Sequence, residues 1–252
     1  MLASLDKWKG KVAVVAGASG GIGTAITRKL LEAEIIVVGL GRNNEKIEAL
    51  FSAEIENRRL FAIKIDITLE SEVVCTFEWI SKNVGPIHIL VNSAGTLSFS
   101  SLIGANAQVL RDTMDTNVYG LCLAAREACK NMQENSVDGH IINMNSYSGH
   151  KVVCYPNLNL YPASKFAVTA LTETLRQELN SVGSKIRVTS ISPSGVRTPL
   201  IESARNAHEE GSTNDFTMLL PEDVADAVLY VLSTPVHVQI HELILHAVND
   251  PV

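Results

Sequence analysis

Short runs of β-branched residues alternate with longer stretches of helical periodicity along this chain, and that alternation limits the fold more than any other feature. "KVAVVAG" is followed by "GIGTAITRKLLEAE", "IIVVGLG" by "NEKIEALFSAEIE", and "RLFAIKID" by "LESEVVCTFEWISKNV", before "IHILVNSAG". The rhythm continues with a long helix over about residues 105–132, a strand at "GHIINMNS" and a helix over about 161–180. A strand at "KIRVTSISPSG", a helix opening at "PEDVADAVLYVL" and the strand-like "VQIHELILHAV" complete it. Strands that are apolar throughout, separated by helices, read as a parallel sheet covered on both faces. The expectation is a doubly wound α/β fold of about seven strands with helices on both faces. No linker, repeat or low-complexity tract divides the 252 residues, so a single domain spanning 1–252 is expected. The one long irregular piece, at about 198–220, is a candidate substrate loop.

Composition removes several kinds of partner. A formal charge of −6 and a pI near 5.7, with Lys and Arg dispersed, leave no basic field for nucleic acid or an anionic membrane. Cys75, Cys122, Cys129 and Cys154 lie far apart with no C-x-x-C pair, which argues for reduced thiols. In a strand His246 faces opposite to His237 and His241, and no acid cluster accompanies them, so no metal is expected. The first apolar run begins at Val12, after Asp6 and three lysines, unlike a signal peptide. No run of about eighteen apolar residues exists to span a bilayer, and a soluble cytoplasmic protein is expected.

Three local patterns carry chemistry. "AGASGGIG" places Gly17, Gly21 and Gly23 between the first strand and the first helix, where backbone N–H groups and the helix dipole favour a pyrophosphate. Its spacing is G-x-x-x-G-x-G rather than G-x-G-x-x-G. In "VVGLGRNNEK" the second strand ends at Gly41, where an acid would accept from a ribose 2′-OH; instead Arg42 follows and can grip a 2′-phosphate, with Asn43 as a further donor. That favours NADP(H) over NAD(H). Lastly, "NLNLYPASKFAV" sets Tyr161 and Lys165 four apart on one helix face, a spacing that suits either packing or catalysis.

The wider set of motifs decides between them. The glycine run fits T-G-x-x-x-G-x-G with Ala16 at the Thr position. "KIDIT", "VNSAG" with Ser93 for an Asn, "DTNVYG", "NMNSYSGH" and "YPASK" follow in order. In these the chain resembles the short-chain dehydrogenases/reductases essentially from end to end. The resemblance implies a Rossmann-like fold and a catalytic set of Asn117, Ser146, Tyr161 and Lys165. For the cofactor it implies Gly17, Ser19, Gly21, Ile22, Gly23, Asp66, Ile67, Asn92, Ala94, Gly95, Tyr161, Lys165, Pro193, Val196 and Thr198, alongside Arg42. It also implies a homodimer or homotetramer joined partly through the helices over 105–132 and 161–180. One departure is "SPSGVRTP", in which Ser194 follows Pro193 where the family usually has glycine.

Hydride transfer at an alcohol carbon requires a group that exchanges the hydroxyl proton. A free tyrosine, with a pKa of about 10, is poor at this, but a neighbouring ammonium favours its phenolate. Lys165 supplies that charge, Ser146 donates to the substrate oxygen, and Asn117, by resemblance, supports a water that links Lys165 to solvent. Val152, Tyr155, Leu158, Leu160, Leu97, Phe99 and Leu200 fit an apolar substrate wall and fit core or dimer contacts equally well. "DGHIINMNSYSGH", "NLNLYPASKFAVTALTETLRQEL" and "PEDVADAVLYVLSTPVHVQI" resemble the branch that holds insect NADP-dependent farnesol dehydrogenases and a vertebrate steroid and carbonyl reductase. The expected function is an NADP(H)-dependent oxidoreductase for a small apolar alcohol of farnesol-like isoprenoid type and its carbonyl. The alternatives are a steroid or carbonyl reductase, an NAD-linked hydroxysteroid dehydrogenase and a non-catalytic dinucleotide-binding protein.

Overall fold

Seven parallel strands form one sheet in the computed structural model, which describes residues 4–153, 157–206 and 217–250. Cys154 and Tyr155, and residues 207–216 of the expected loop, lie outside the described residues. The strands are β1 (Val12–Ala16), β2 (Ile36–Gly41), β3 (Leu60–Lys64), β4 (Ile87–Asn92), β5 (His140–Met144), β6 (Arg187–Pro193) and β7 (Glu242–Leu245). Their order across the sheet is β3-β2-β1-β4-β5-β6-β7, with every pairing parallel. This is the doubly wound, Rossmann-like arrangement. The direction of winding reverses between β1 and β4, which opens a crevice at the carboxyl ends of those strands.

Alternate residues of each strand enter opposite cores. From β1, Ala13 and Val15 join a cluster with Ile26, Leu30, Val224, Val228 and Val231, while Val12 and Val14 join Val73, Phe77, Ile80, Ala128 and Met132. The first cluster holds α1 (Gly21–Glu32) against α9 (Pro221–Ser233). The second holds α4 (Glu70–Asn83), α6 (Leu121–Glu134) and the Leu175 and Leu179 side of α7 (Tyr161–Ser181). Each fully buried Val, Leu or Ile contributes about 1.5–3 kcal/mol, so both layers are strongly anchored. At the far end from the crevice, Trp8 donates from Nε1 to Leu232 O at 2.8 Å, and Arg187 donates from Nη1 to Thr234 Oγ1 at 3.0 Å. Arg187 and Lys7, which donates to Thr234 O, gather positive charge at the carboxyl end of α9, where the helix dipole favours it.

Several elements differ from the sequence expectation. "NEKIEALFSAEIE" forms two short helices, α2 (Asn44–Leu50) and α3 (Ser52–Glu56), broken at Phe51, whose φ of −136° turns its ring into the core at 3% exposure. The long helix runs as α5 (Ala107–Met114), a π-helical segment at Asp115–Gly120, and α6. The piece expected to be irregular opens with α8 (Pro199–Asn206), where Thr198 Oγ1 accepts from Ile201 N and Thr198 O from Glu202 N. The last strand is only four residues long because side chains take the carbonyls that precede it: Val238 O accepts from Arg187 and Ile240 O from Thr189.

Candidate active site

The glycine loop joins β1 to α1 at the mouth of the crevice. Gly17 has φ +85°, and a Cβ there would lie 2.6 Å from Ala94 N, so the turn admits no side chain. A Cβ on Gly23 would fall 2.1 Å from Gly17 O, so glycine is what lets α1 begin directly beneath the turn. The N-cap Gly20 has no side chain to accept from the first-turn N–H groups of α1, including those of Gly21, Ile22 and Gly23. Uncapped donors at the positive end of a twelve-residue helix suit a pyrophosphate. Thr198, on the segment that leaves β6, closes this side, with its Cγ2 3.0 Å from a Cβ built on Gly21. Pro193 and Val196 are buried on the same segment, and Val196 pairs with Leu219. Ser194 donates its N–H to Leu245 O, while its buried Oγ has no partner among the described residues.

Gly41 ends β2 beside the loop, and a Cβ on it would stand 3.1 Å from Ser19 Oγ. The strand end itself carries no acid. Arg42 is exposed there, and its charge acts on Asp66 at the end of the neighbouring strand. Burial works to raise the Asp66 carboxyl, but hydrogen bonds from Thr68 N and Oγ1 at 2.9 and 2.7 Å, with the Arg42 guanidinium, outweigh it and hold the group below its ordinary value. Asn43 Oδ1 accepts from Lys46 N at 3.0 Å and caps α2. A loop with uncapped donors, a strand end without acid and an exposed guanidinium fit a dinucleotide that carries a 2′-phosphate.

Across the crevice, Ile67 lies against Gly120, where a Cβ would be 2.9 Å from Ile67 Cγ1. Asn92 is buried and turned into the sheet, donating from Nδ2 to Asn143 Oδ1 at 2.9 Å. Ala94 and Gly95 line the turn that follows β4, against Gly17 and Asn117 respectively. Asn117 sits in the π-helical segment, and its carboxamide is fully engaged. Oδ1 accepts from Thr96 N at 2.8 Å, and Nδ2 donates to Thr96 O at 3.0 Å and Ser164 Oγ at 3.1 Å. It therefore ties the β4 turn to α7.

The structure brings Ser146, Tyr161 and Lys165 together at the carboxyl end of β5. Ser146 caps the short 3-10 turn Tyr147–Gly149, its Oγ accepting from Ser148 N at 3.1 Å. Lys165 is 6% exposed, donates from Nζ to Met144 O at 2.9 Å and stands 5.7 Å from the centre of the Tyr161 ring. Burial lowers Lys165 to about 8. Burial also raises the Tyr161 phenol above its ordinary value, and the hydrogen bond with Ser146 opposes that rise. The same burial thus penalises both the phenolate of Tyr161 and the ammonium of Lys165.

Two loops border Tyr161. Ser100 pairs with Leu158, Ser100 N donates to Asn157 O at 2.9 Å, and Asn159 Nδ2 donates to Ser98 O and Ser100 Oγ. Asn157 and Asn159 take φ of 64° and 40°, values that asparagine tolerates better than most residues. The pairing of Ser100 with Leu158 sets the loop that carries the half-buried Leu97 and Phe99 alongside the one that carries the half-buried Leu158 and Leu160, whereas Val152 and Leu200 are exposed. Thr96, Ser164, Asn157 and Asn159 carry no signal in the sequence that marks them as parts of the site, and Met144 acts only through its backbone carbonyl. Among the described residues no group of three His, Cys, Asp or Glu side chains could hold a metal, and no helix is long and apolar enough to cross a membrane. His246 instead meets Asp250 at 3.2 Å and packs edge-on to Tyr147.

Residues 11–209 match the short chain dehydrogenase family. The chain is 48% identical over 249 residues to farnesol dehydrogenase of Aedes aegypti, covering 98% of this chain and 99% of that protein. It is 38% identical over 247 residues, 95% of both chains, to dehydrogenase/reductase SDR family member 11 of Homo sapiens. A solved structure of serine dehydrogenase in its closed form, complexed with NADP+, superposes with a TM-score of 0.84 at 29% identity, over 95% of this chain and 96% of that one.

Proposed function

The chain belongs to the short chain dehydrogenase family, and from that premise we propose that it is an NADP(H)-dependent oxidoreductase that interconverts a farnesol-like apolar alcohol and its carbonyl. The observation that carries this reading is the grouping of Ser146, Tyr161 and Lys165 beside loops that present Leu97, Phe99, Leu158 and Leu160. A nicotinamide held in the crevice would supply or accept the hydride. Gly17, Gly21 and Gly23 would hold its pyrophosphate, Arg42 its 2′-phosphate, and the 193–198 segment would close over the other end. In the reducing direction the phenol of Tyr161 gives its proton to the carbonyl oxygen as that oxygen gains charge, and Ser146 Oγ holds the oxygen in line. A phenol kept protonated by burial is well placed to act as that acid. Lys165, fixed on Met144 O, keeps positive charge next to the phenolate that remains, and Asn117 locks the β4 turn so that proton resupply has a fixed path.

The isoprenoid substrate is supported by the Aedes aegypti relative and by the apolar loops; NADP(H) is supported by Gly41 and Arg42 and by the NADP+ complex of a structural neighbour. A cytoplasmic homodimer or homotetramer built as a single domain completes the proposal. Purified protein should oxidise farnesol with NADP+ and reduce farnesal with NADPH, each at least about tenfold more efficiently than with NAD(H). Tyr161→Phe should abolish both reactions with NADPH binding intact by fluorescence titration, because only the proton-transferring oxygen is lost. Turnover retained by that variant would reject the assignment of Tyr161.

A further inference from the structure

Asn145 stands between the two backbone positions that fix the catalytic groups, and the residue is 4% exposed. On one side Met144 O accepts from Lys165 Nζ; on the other Ser146 opens the turn that faces Tyr161. The Asn145 N–H donates to Ile191 O at 2.8 Å, which fixes its peptide to β6. Its Nδ2 donates to Thr169 Oγ1 at 2.8 Å, and that hydroxyl in turn donates to Gly149 O at 2.9 Å, at the end of the Ser146 turn. Gly149 closes the arrangement: a Cβ there would lie 2.7 Å from both Asn145 Oδ1 and Lys165 O. Asn145 Oδ1 has no partner among the described residues, so the orientation of the carboxamide rests on the Thr169 hydroxyl.

We propose that Asn145 and Thr169 are positioning residues that bond the Ser146 turn to α7, one helical turn beyond Lys165, and so set Ser146 and Met144 O against Tyr161 and Lys165. Thr169 joins both sides of this contact: its hydroxyl accepts from Asn145 Nδ2 and donates to Gly149 O at 2.9 Å, nearer than Lys165 O at 3.3 Å. Replacing it by valine keeps its shape while leaving Asn145 Nδ2 and Gly149 O unpaired in a buried place. The turn then relaxes away from α7, and Tyr161 loses the Ser146 hydrogen bond that holds its phenol down.

The proposal rests on the oxidoreductase reading for its kinetic outcome but not for its spectroscopic one. Ultraviolet difference titration against Tyr161→Phe isolates the Tyr161 phenol in protein without any substrate. Thr169→Val should raise the midpoint of that titration by about one pH unit, a tenfold loss of phenolate. It should also lower kcat for farnesal reduction about tenfold, with KM and the NADPH dissociation constant unchanged, and Thr169→Ser should restore both. A Thr169→Val protein that titrates like the parent, or a Thr169→Ser protein displaced as far as Thr169→Val, would overturn it. Should Thr169→Val fail to fold, Asn145→Ser should show the same displacement, and its absence counts equally against the proposal. If the phenol shifts as stated while the parent protein turns over no alcohol or carbonyl, the oxidoreductase reading falls and the positioning role stands.

Discussion

Arg42 and Lys165 both owe their expected effects to what surrounds their charge. Arg42 is exposed beside a strand end without acid, and losing a charge-assisted phosphate contact costs roughly 1.5–3 kcal/mol. Arg42→Ala should weaken NADPH about ten- to a hundredfold and leave NADH nearly unchanged in equilibrium titrations. Equal losses for both would make the residue structural. Gly41→Asp should reverse the preference, with Ser19 Oγ yielding to the new side chain. Lys165 is the opposite case, a charge taken out of water. Between about 8 and its ordinary 10.5 the unfolded chain keeps a proton that the folded chain has shed, so unfolding free energy rises with pH through that window. The rise is on the order of 3 kcal/mol, and Lys165→Met should flatten it in denaturant titrations. Tyr161 also has its phenol raised in the fold, but its contribution begins only above its ordinary 10.0. An unchanged slope in Lys165→Met would mean that the ammonium is solvated. These two residues could be read from the sequence because the missing acid at Gly41 and the i,i+4 spacing are local patterns. Asn117's bonds to Thr96 and Asn145's bond to Thr169 join positions far apart in the chain, which no local pattern encodes.

Most elements follow their hydrophobic period, and those that do not have a tertiary cause. Strands β1 to β6 and helices α1, α4, α7 and α9 lie where apolar alternation and helical repeats place them. The break between α2 and α3 serves the burial of Phe51 rather than any turn residue. The π-helical segment at Asp115–Gly120 escapes periodicity because a single such turn barely disturbs the apolar repeat; it coincides with Asn117's grip on Thr96 and Gly120's approach to Ile67. At this scale the sharpest test is Gly23→Ala. A Cβ 2.1 Å from Gly17 O forces the start of α1 away from the turn, at a cost of about 1–3 kcal/mol. NADPH and NADH should both lose affinity, in contrast to Arg42→Ala, and thermal unfolding should move down. Parental stability and affinity in that variant would show that the loop tolerates a side chain.

At the largest scale, segments far apart in the chain close on one another. On the surface, Tyr119 and Phe166 are 47% and 41% exposed in the two helical stretches expected to join subunits. Light scattering at micromolar concentration should therefore report a dimer or tetramer, and a monomer would refute the proposed assembly. Inside, α1 is covered by α9, and Trp8 is bonded to Leu232, so one residue is completed by another made 224 positions later. Vectorial synthesis then has a definite order of events. While residues 221–233 are still within the ribosome, the first apolar layer has lost its lid and the amino-terminal turn its anchor. Nascent chains stalled before Pro221 should stay sensitive to protease even though six of the seven strands have been made, and resistance should arrive abruptly once α9 has emerged.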